Sequence, residues 1–227
     1  MKYTTLLFDL DNTLLDFNKA EENAIMKIME RYGIEPTKEN AAVYSAINDR
    51  KWKALERKEI TRERLLVERF EDFFREKGVT ADCEKVNIEY REFLSQGRFP
   101  IDGALEVCKE LTKCFDMHLI TNGTKAVQDG RLNGTELRGC FDRVFVSEEV
   151  GFVKPEKEFF DFVLSNISEK DKRKILIIGD SLSSDIAGAV NSGLDSCWLN
   201  RSGEHRENPA NYEIFDICQL LPLLNLQ

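Results

Sequence analysis

The sequence predicts an α/β protein: a Rossmann-like parallel sheet with helices on both faces, interrupted by an inserted all-helical cap of about four helices. Three observations support this. Residues 1–16 contain an apolar strand, "TTLLFDL", followed by a turn. Residues from about 18 to 95 then show helical periodicity, and after residue 97 short apolar strands alternate with helices. Because strands that alternate with helices form parallel sheets, the first strand belongs with the later ones.

The helical insert divides the chain into two predicted domains. We expect an α/β core domain from residues 1–16 and 97–227, and a cap domain from residues 17–96. The cap pattern is strongest in "ITRERLLVERFEDFFREKG", where Leu66, Phe70 and Phe73 recur at steps of three and four residues. Thr61 is suited to cap the start of this helix and Gly78 its end. Further cap helices are expected at about 19–32, 38–57 and 82–95.

After the cap, the predicted elements alternate in order. Helices are expected at about 103–113, from about Lys125, within 156–166, and from Ser184 to about Ser192. The strands between and after them are "FDMHLIT", "DRVFVS", "KILIIGD" and "DSCWLN". The run Ile175–Ile178 has the composition of a central strand covered on both faces. The last residues are expected to form a short strand or loop and a closing helix.

Composition narrows the class of partner. The 227 residues carry a net charge of −9, which argues against binding of nucleic-acid polymers, since those require a basic surface. The six cysteines form no C-x-x-C pair, and with only two histidines a zinc site is not expected. No apolar run reaches the roughly 20 residues of a membrane span. We expect reduced thiols and a cytoplasmic protein without a membrane partner. A small anionic ligand remains compatible with the charge.

Two aspartates follow the first strand, where parallel sheets bind ligands beyond the carboxyl ends of their strands. Turn capping explains one carboxylate but hardly both Asp9 and Asp11. Two close carboxylates become tolerable when a divalent cation neutralises them or when one is protonated. An aspartate can also attack phosphorus as a nucleophile, and a second acid can move the proton of the leaving group.

Three later strand ends also carry polar residues. Thr121 precedes an Asn-Gly turn that is either an anion site at a helix start or an ordinary turn. Lys154 is held extended by Pro155, so that it either reaches a phosphate or is simply solvated. Asp180 emerges from a buried strand, and its oxygens together with those of Asp9 would suit Mg²⁺. Asp185 opens the next helix, where a carboxylate is favourable by itself.

In this order, "DLDNTLLD", "TNG", "KP" and "GDSLSSD" resemble the four motifs of the haloacid dehalogenase-like hydrolase superfamily. The resemblance implies that Asp9 is the nucleophile and Asp11 the general acid and base. It implies that Thr121, with Asn122 beside it, binds the phosphate. Lys154 then steadies the phosphate and the nucleophile, acting in both catalysis and phosphate binding. The implied metal site consists of Asp9, the backbone carbonyl of Asp11, and Asp180, with Asp185 behind these ligands.

A narrower resemblance comes from "SEEVGFVKPEKEFF", "GDSLSSDIAGAVNSGLDSCWLN" and "YEI", which are similar to bacterial pyrimidine 5′-nucleotidases. It implies a Mg²⁺-dependent phosphomonoesterase that hydrolyses nucleoside monophosphates, pyrimidine and non-canonical ones included, through an aspartyl-phosphate. Two alternatives stay open: a phosphosugar phosphatase or β-phosphoglucomutase-like mutase, and a non-catalytic binding protein on the same fold. Dehalogenation is disfavoured, because the haloacid dehalogenases of the superfamily lack an acid at the position of Asp11. The oligomeric state stays open.

Substrate choice is expected to lie in the cap, where the sequence assigns no contacts. Aromatic residues at helical spacing there are expected to form the bundle core rather than to stack on a base: Tyr44, Trp52, Phe70, Phe73 and Phe74. The cap arginines are expected to form a solvated face: Arg57, Arg62, Arg64 and Arg69. His118 is expected to be structural, and Trp198 to pack at the sheet edge.

Overall fold

The computed structural model describes residues 2–226 and contains a six-stranded sheet in which every neighbouring pair of strands is parallel. The strands are β1 (Thr5–Phe8), β2 (Asp116–Thr121), β3 (Arg143–Val146), β4 (Ile175–Gly179), β5 (Asp195–Leu199) and β6 (Tyr212–Ile214). Their order across the sheet is β3-β2-β1-β4-β5-β6. The predicted fold class is therefore confirmed, with β1 at the centre, between strands that follow the helical insert.

Helices surround the sheet and form the insert. The insert contains α1 (Phe17–Arg31), α2 (Lys38–Glu56), α3 (Arg62–Lys77) and α4 (Cys83–Ser95). The remaining α-helices are α5 (Ala104–Leu111), α6 (Lys125–Leu132), α7 (Ser147–Val150), α8 (Lys157–Asn166), α9 (Ala187–Ser192) and α10 (Leu220–Leu223). The helix expected from Ser184 instead begins as a π-helical turn, Leu182–Ile186, before α9. The closing strand and helix of the tail are present.

Alternate residues of β1 enter different hydrophobic clusters, as the two-residue period of a strand requires. Leu6 and Phe8 pack in the cluster that contains Val107 of α5, whereas Leu7 packs in the cluster that contains Phe159 of α8. The side chains of Leu6, Leu7 and Phe8 are all fully buried. Both faces of the central strand are thus covered, which is why its sequence is a continuous apolar run.

The inserted helices have a hydrophobic cluster of their own. Tyr44 stacks on Phe70 with ring centroids 5.4 Å apart, and Phe73 and Phe74 are buried beside them. These four aromatic residues form the bundle core, as expected. The Thr61 hydroxyl accepts a hydrogen bond from the backbone N–H of Arg64 at the start of α3, and Gly78 ends α3 with φ at 68°. The division of the chain into two domains stays a prediction.

The expectations for Arg69, Arg62 and Trp198 were wrong. Arg69 is 3% exposed and lies inside the bundle, because Asn48 and Asn87 accept hydrogen bonds from its guanidinium. Arg62 is also partly buried, against the core, so the cap arginines do not form one solvated face. Trp198 lies on β5, one strand inside the edge strand β6, and is 5% exposed. His118 is buried beside Phe145, which fits a structural role.

No helix in the part of the chain from residue 2 to residue 226 is long and apolar enough to cross a membrane. The six cysteines all lie within these residues and are free thiols.

Candidate active site

The parallel register brings three strand ends together. Phe8, the last residue of β1, lies opposite Leu119 of β2 and Ile178 of β4. The residues that follow in each strand are therefore neighbours at the carboxyl edge of the sheet, where a ligand site is expected. Asp9 is at this edge, flanked by the ends of β2 and β4. A cavity of about 230 Å³ opens here, between the sheet and the inserted helices.

A buried lysine joins two of the carboxylates at this edge. Lys154 is 1% exposed, and its Nζ lies 2.7 Å from Oδ1 of Asp9 and 2.7 Å from Oδ1 of Asp185. A third hydrogen bond, of 3.1 Å, goes to the carbonyl of Ile120. Although burial opposes it, the carboxylates of Asp185 and Asp9 raise the pKa of Lys154, so the ammonium is retained. The alternative of a solvated lysine is thereby excluded.

Asn122 holds the backbone of Lys154 in place. The Asn122 side-chain amide donates to the carbonyl of Lys154 at 2.8 Å, and its oxygen accepts from the N–H of Lys154 at 2.8 Å. Both ends of the Asn122 amide are thus used to join the loop after β2 to the segment before α8. Asn122 also lines the cavity together with Thr121, and its role in phosphate binding stays a prediction.

Three carboxylates converge on one point of the cavity. Single oxygens of Asp9, Asp180 and Asp185 all lie within 4.8 Å of one another. Burial and, to a smaller extent, the charges of Asp185 and Asp11 together raise the pKa of Asp9 to about 7, against the opposing effect of Lys154. Burial together with the charges of Asp9 and Asp185 raises the pKa of Asp180 well above its usual range. This site therefore carries more negative charge than Lys154 compensates.

These residues fit a divalent cation. Hard carboxylate oxygens suit Mg²⁺, and a cation would offset the charge that raises the pKa of Asp9 and Asp180. Asp185 already accepts hydrogen bonds on both oxygens, from Lys154 and from the N–H of Ser181 at 3.1 Å. Asp180 has no such side-chain bond within residues 2–226. Of the three carboxylates, Asp9 and Asp180 are therefore freer to bind a metal, and Asp185 orients the lysine.

The carboxylate of Asp11 points elsewhere. It forms an ion pair with the buried Arg131 and accepts a 2.8 Å hydrogen bond from Nε2 of Gln128. The same Gln128 nitrogen donates to the hydroxyl of Thr121 at 2.7 Å. The structure thus brings all the predicted site residues to one cavity, but separates the Asp11 side chain from the cluster of the other three aspartates.

The inserted helices close the other side of the cavity. Trp52, Leu66, Arg69 and Arg91 line it, and Glu56 faces the carboxylate cluster, which together with burial raises the pKa of Glu56. Burial is the largest cause of this shift; a hydrogen bond with Ser183 opposes it, and the charge of Asp185 adds to it. Unlike the other four aromatic residues considered above, Trp52 belongs to the cavity wall rather than to the bundle core.

Arg62 ties the inserted helices to the sheet edge. Its guanidinium donates to the carbonyls of Asn122 at 3.2 Å and Gly123 at 3.1 Å, and to the hydroxyl of Ser147 at 2.6 Å. It also lies over the ring of Trp52, 5.7 Å from its centroid. Arg62 thereby holds the loop after β2 in place through hydrogen bonds to two of its backbone carbonyls.

Sequence reasoning did not single out Arg62, Gln128 or Arg131 as site residues. A signal was available for two of them: Gln128 and Arg131 lie three residues apart on the helix that follows Thr121, and so share the face nearest that strand end. No comparable local pattern marks Arg62, because its contacts come from residues sixty or more positions away along the chain.

The buried Lys154 thus lies among carboxylates at the carboxyl edge of a Rossmann-like sheet, on the side covered by the inserted helices. The chain belongs to the haloacid dehalogenase-like hydrolase family, whose model matches residues 3–193. Three curated relatives match over most of their length. The Bacillus subtilis HAD-hydrolase YfnB is 39% identical, over 100% of this chain and 97% of its own. Pyrimidine 5′-nucleotidase PynA of Streptococcus pneumoniae is 34% identical, over 99% and 96%. Pyrimidine 5′-nucleotidase YjjG of Escherichia coli is 34% identical, over 92% and 90%.

A solved structure agrees with this assignment. The crystal structure of Bacillus subtilis YfnB, described as bound to magnesium, matches with a TM-score of 0.94 and 38% identity, and each chain is covered completely. The resemblance stated from the sequence and the expectation of an enzyme, a phosphoric monoester hydrolase of this family, are therefore confirmed.

Proposed function

We propose that the enzyme is a Mg²⁺-dependent phosphomonoesterase that acts through an aspartyl-phosphate on Asp9, with pyrimidine nucleoside monophosphates as substrates. The observation that carries the proposal is the contact of Lys154 with Asp9 and Asp185, in a cavity that also holds the oxygens of Asp180. A fully buried ammonium keeps the carboxylate of Asp9 oriented and leaves one of its oxygens free to attack.

Two displacements at phosphorus describe the reaction. In the first, a carboxylate oxygen of Asp9 forms a bond to phosphorus, the ester P–O bond breaks, and Asp11 gives its proton to the leaving alkoxide. In the second, Asp11 takes a proton from water, the water oxygen attacks phosphorus, and the Asp9–phosphorus bond breaks to release inorganic phosphate. The hydroxyl of Thr121 and the amides of the loop after β2 bind the phosphoryl oxygens.

Asp9 and Asp180, with the backbone carbonyl of Asp11, would hold the Mg²⁺. When bound, Mg²⁺ neutralises charge on the phosphoryl group and on the carboxylates. Lys154 supplies the only other positive charge in direct contact with Asp9 within residues 2–226. The enzyme's own groups thus fix the nucleophile, while the surplus of carboxylates accounts for the need for a divalent cation.

Two kinds of support point to a nucleotide. Two relatives named pyrimidine 5′-nucleotidases are each 34% identical over at least 90% of both chains. The cap side of the cavity combines apolar walls, Trp52 and Leu66, with the charged residue Arg91. A planar ring with carbonyl oxygens, such as uracil or thymine, offers an apolar face and acceptors to this wall.

The cavity volume also bears on the size of the substrate. Its volume of about 230 Å³ is small beside the roughly 300–1,000 Å³ of typical ligand pockets, so a small phosphate ester fits better than a phosphoprotein segment. The inserted helices restrict access from the side opposite the sheet.

The test is phosphate release at saturating Mg²⁺ across nucleoside monophosphates, sugar phosphates and small phosphoacids. We expect the highest kcat/KM for uridine and thymidine monophosphates and no turnover by Asp9→Asn. Equal activity on all esters would refute the nucleotide specificity but not the chemistry. A requirement for a sugar bisphosphate, with little free phosphate, would indicate a mutase. Full activity of Asp9→Asn would refute the assigned nucleophile.

A further inference from the structure

Arg131 is a charged side chain with no place in the reaction as described. It lies on α6, is fully buried, and forms an ion pair through one guanidinium nitrogen with Oδ1 of Asp11. Its Nε donates to the carbonyl of Gly97 at 3.1 Å, and its guanidinium lies 5.5 Å from the centroid of the Phe17 ring. Burying a guanidinium completely costs several kcal/mol unless it is paired. Arg131 therefore depends on Asp11 for compensation of its charge, whereas the Asp11 side chain is 27% exposed.

The second oxygen of Asp11 has its own partner on the same helix. Nε2 of Gln128 donates to Oδ2 of Asp11 at 2.8 Å and to the Thr121 hydroxyl at 2.7 Å, while its oxygen accepts from Arg131 at 3.3 Å. Gln128 is held tightly: a Cβ added to Gly123 would lie 2.5 Å from its amide group. Both oxygens of Asp11 are therefore fixed by side chains three residues apart on α6.

We propose that Arg131 and Gln128 are positioning residues that hold the Asp11 carboxyl toward the leaving group and away from the carboxylate cluster. This inference rests on the proposed function, in which Asp11 is the acid and base. Asp11 lies only two residues from Asp9, and an unanchored side chain could turn toward the metal ligands. Since each carboxyl oxygen has two acceptor positions, Oδ2 can accept from Gln128 and still carry the proton that it donates.

A purely structural role for Arg131 is the competing explanation. Its contacts with Gly97 and Phe17 join both segments that connect the helical insert to the sheet. Loss of Arg131 would then lower the amount of folded enzyme and reduce activity on every substrate equally. The two explanations differ in whether the loss depends on the leaving group's need for a proton.

The experiment compares kcat/KM for a nucleoside monophosphate, whose leaving alkoxide needs a proton, with kcat/KM for p-nitrophenyl phosphate, whose phenolate leaves without one. The ratio of the two values in a single preparation does not depend on the folded fraction. General acid catalysis contributes about 10²- to 10⁴-fold, so Asp11→Asn should lower the nucleotide value by that factor and change the ratio. Arg131→Gln and Gln128→Met should change the ratio in the same direction, by tenfold or more for Arg131→Gln.

Two further variants sharpen the test. Arg131→Lys keeps the cation beside Asp11 and should restore part of the ratio. Lys125→Gln removes a cation from the same helix, but Lys125 pairs with Asp129 and Glu149, so its ratio should match the wild type. If Asp11→Asn changes the ratio but Arg131→Gln, Arg131→Lys and Gln128→Met do not, the positioning role is overturned. If Asp11→Asn itself leaves the ratio unchanged, the acid role of Asp11 in the proposed function fails first, and the positioning role with it.

Discussion

Replacing Asp9 with Asn should stabilise the metal-free enzyme while abolishing its turnover. Burial is the main cause that raises the pKa of Asp9 from 3.8 to about 7, even with Lys154 beside it. A pKa shift of about three units, at about 1.4 kcal/mol each, corresponds to roughly 4 kcal/mol. The folded protein thus holds this proton more tightly than the unfolded chain does.

The stability of the metal-free wild type should fall as the pH rises. Below about pH 4 the Asp9 carboxyl is protonated in the folded and the unfolded state, so it does not lower the stability of the fold. As the pH rises from about 4 to 7, the unfolded chain releases the proton first, so the wild type loses stability progressively. Asn resembles the protonated carboxyl at every pH. The advantage of Asp9→Asn should therefore be small at pH 4 and grow to roughly 4 kcal/mol above pH 7, or about 8–16 °C in Tm.

The assay is thermal unfolding in EDTA between pH 4 and 9, with phosphate release measured on the same preparations. Asp161→Asn is the control, since Asp161 is an exposed partner of Lys157 and should show no such trend. Saturating Mg²⁺ should raise the Tm of the wild type and narrow its gap to Asp9→Asn. A gain that is absent above pH 7, or equally large at pH 4, would refute the reasoning from the buried carboxylate.

Three further outcomes are expected. Lys154→Met should abolish phosphate release and lower the free energy of unfolding by about 3–5 kcal/mol, because it leaves buried carboxylates unpaired. A turnover assay measures the first effect and denaturant unfolding the second. Arg62→Gln should lower kcat/KM about 10- to 100-fold, because it removes charged hydrogen bonds to the loop after β2. Arg64 is an exposed arginine on the same helix, so the control Arg64→Gln should leave kcat/KM unchanged. Trp52→Ala should raise KM for nucleotides much more than KM for glycerol phosphate. An equal rise in both KM values would refute a role of Trp52 in base binding.

The fold could be predicted from the sequence because its information is local. The apolar run of β1, the helical periodicity of α3 and the capping residues Thr61 and Gly78 each depend on neighbours within a few positions. The convergence of Asp9, Thr121, Lys154 and Asp180 on one cavity could be predicted for a related reason. Polar residues at the ends of apolar strands are visible along the chain, and the parallel sheet then brings them together.

The cap side of the site could not be predicted in the same way. Arg62 and Arg69 occupy similar positions in a charged helix, yet one contacts the sheet edge and the other is buried against Asn48 and Asn87. Both outcomes depend on how helices pack, which the spacing of charges on one helix does not specify. Trp198 illustrates the same limit, since its place inside the sheet depends on β6 adding beyond β5.

The distribution of charge supports the proposed roles of a metal ion and of a separate acid. Lys154 directly contacts Asp9 and Asp185, and Asp180 completes that group without a cation of its own within residues 2–226. Three carboxylates and one ammonium leave two negative charges, which one divalent cation would balance. Asp11 is neutralised separately, by Arg131. Because its partner is a fixed guanidinium, the carboxylate of Asp11 is held apart from the cluster of Asp9, Asp180 and Asp185, although its charge still contributes to the raised pKa of Asp9.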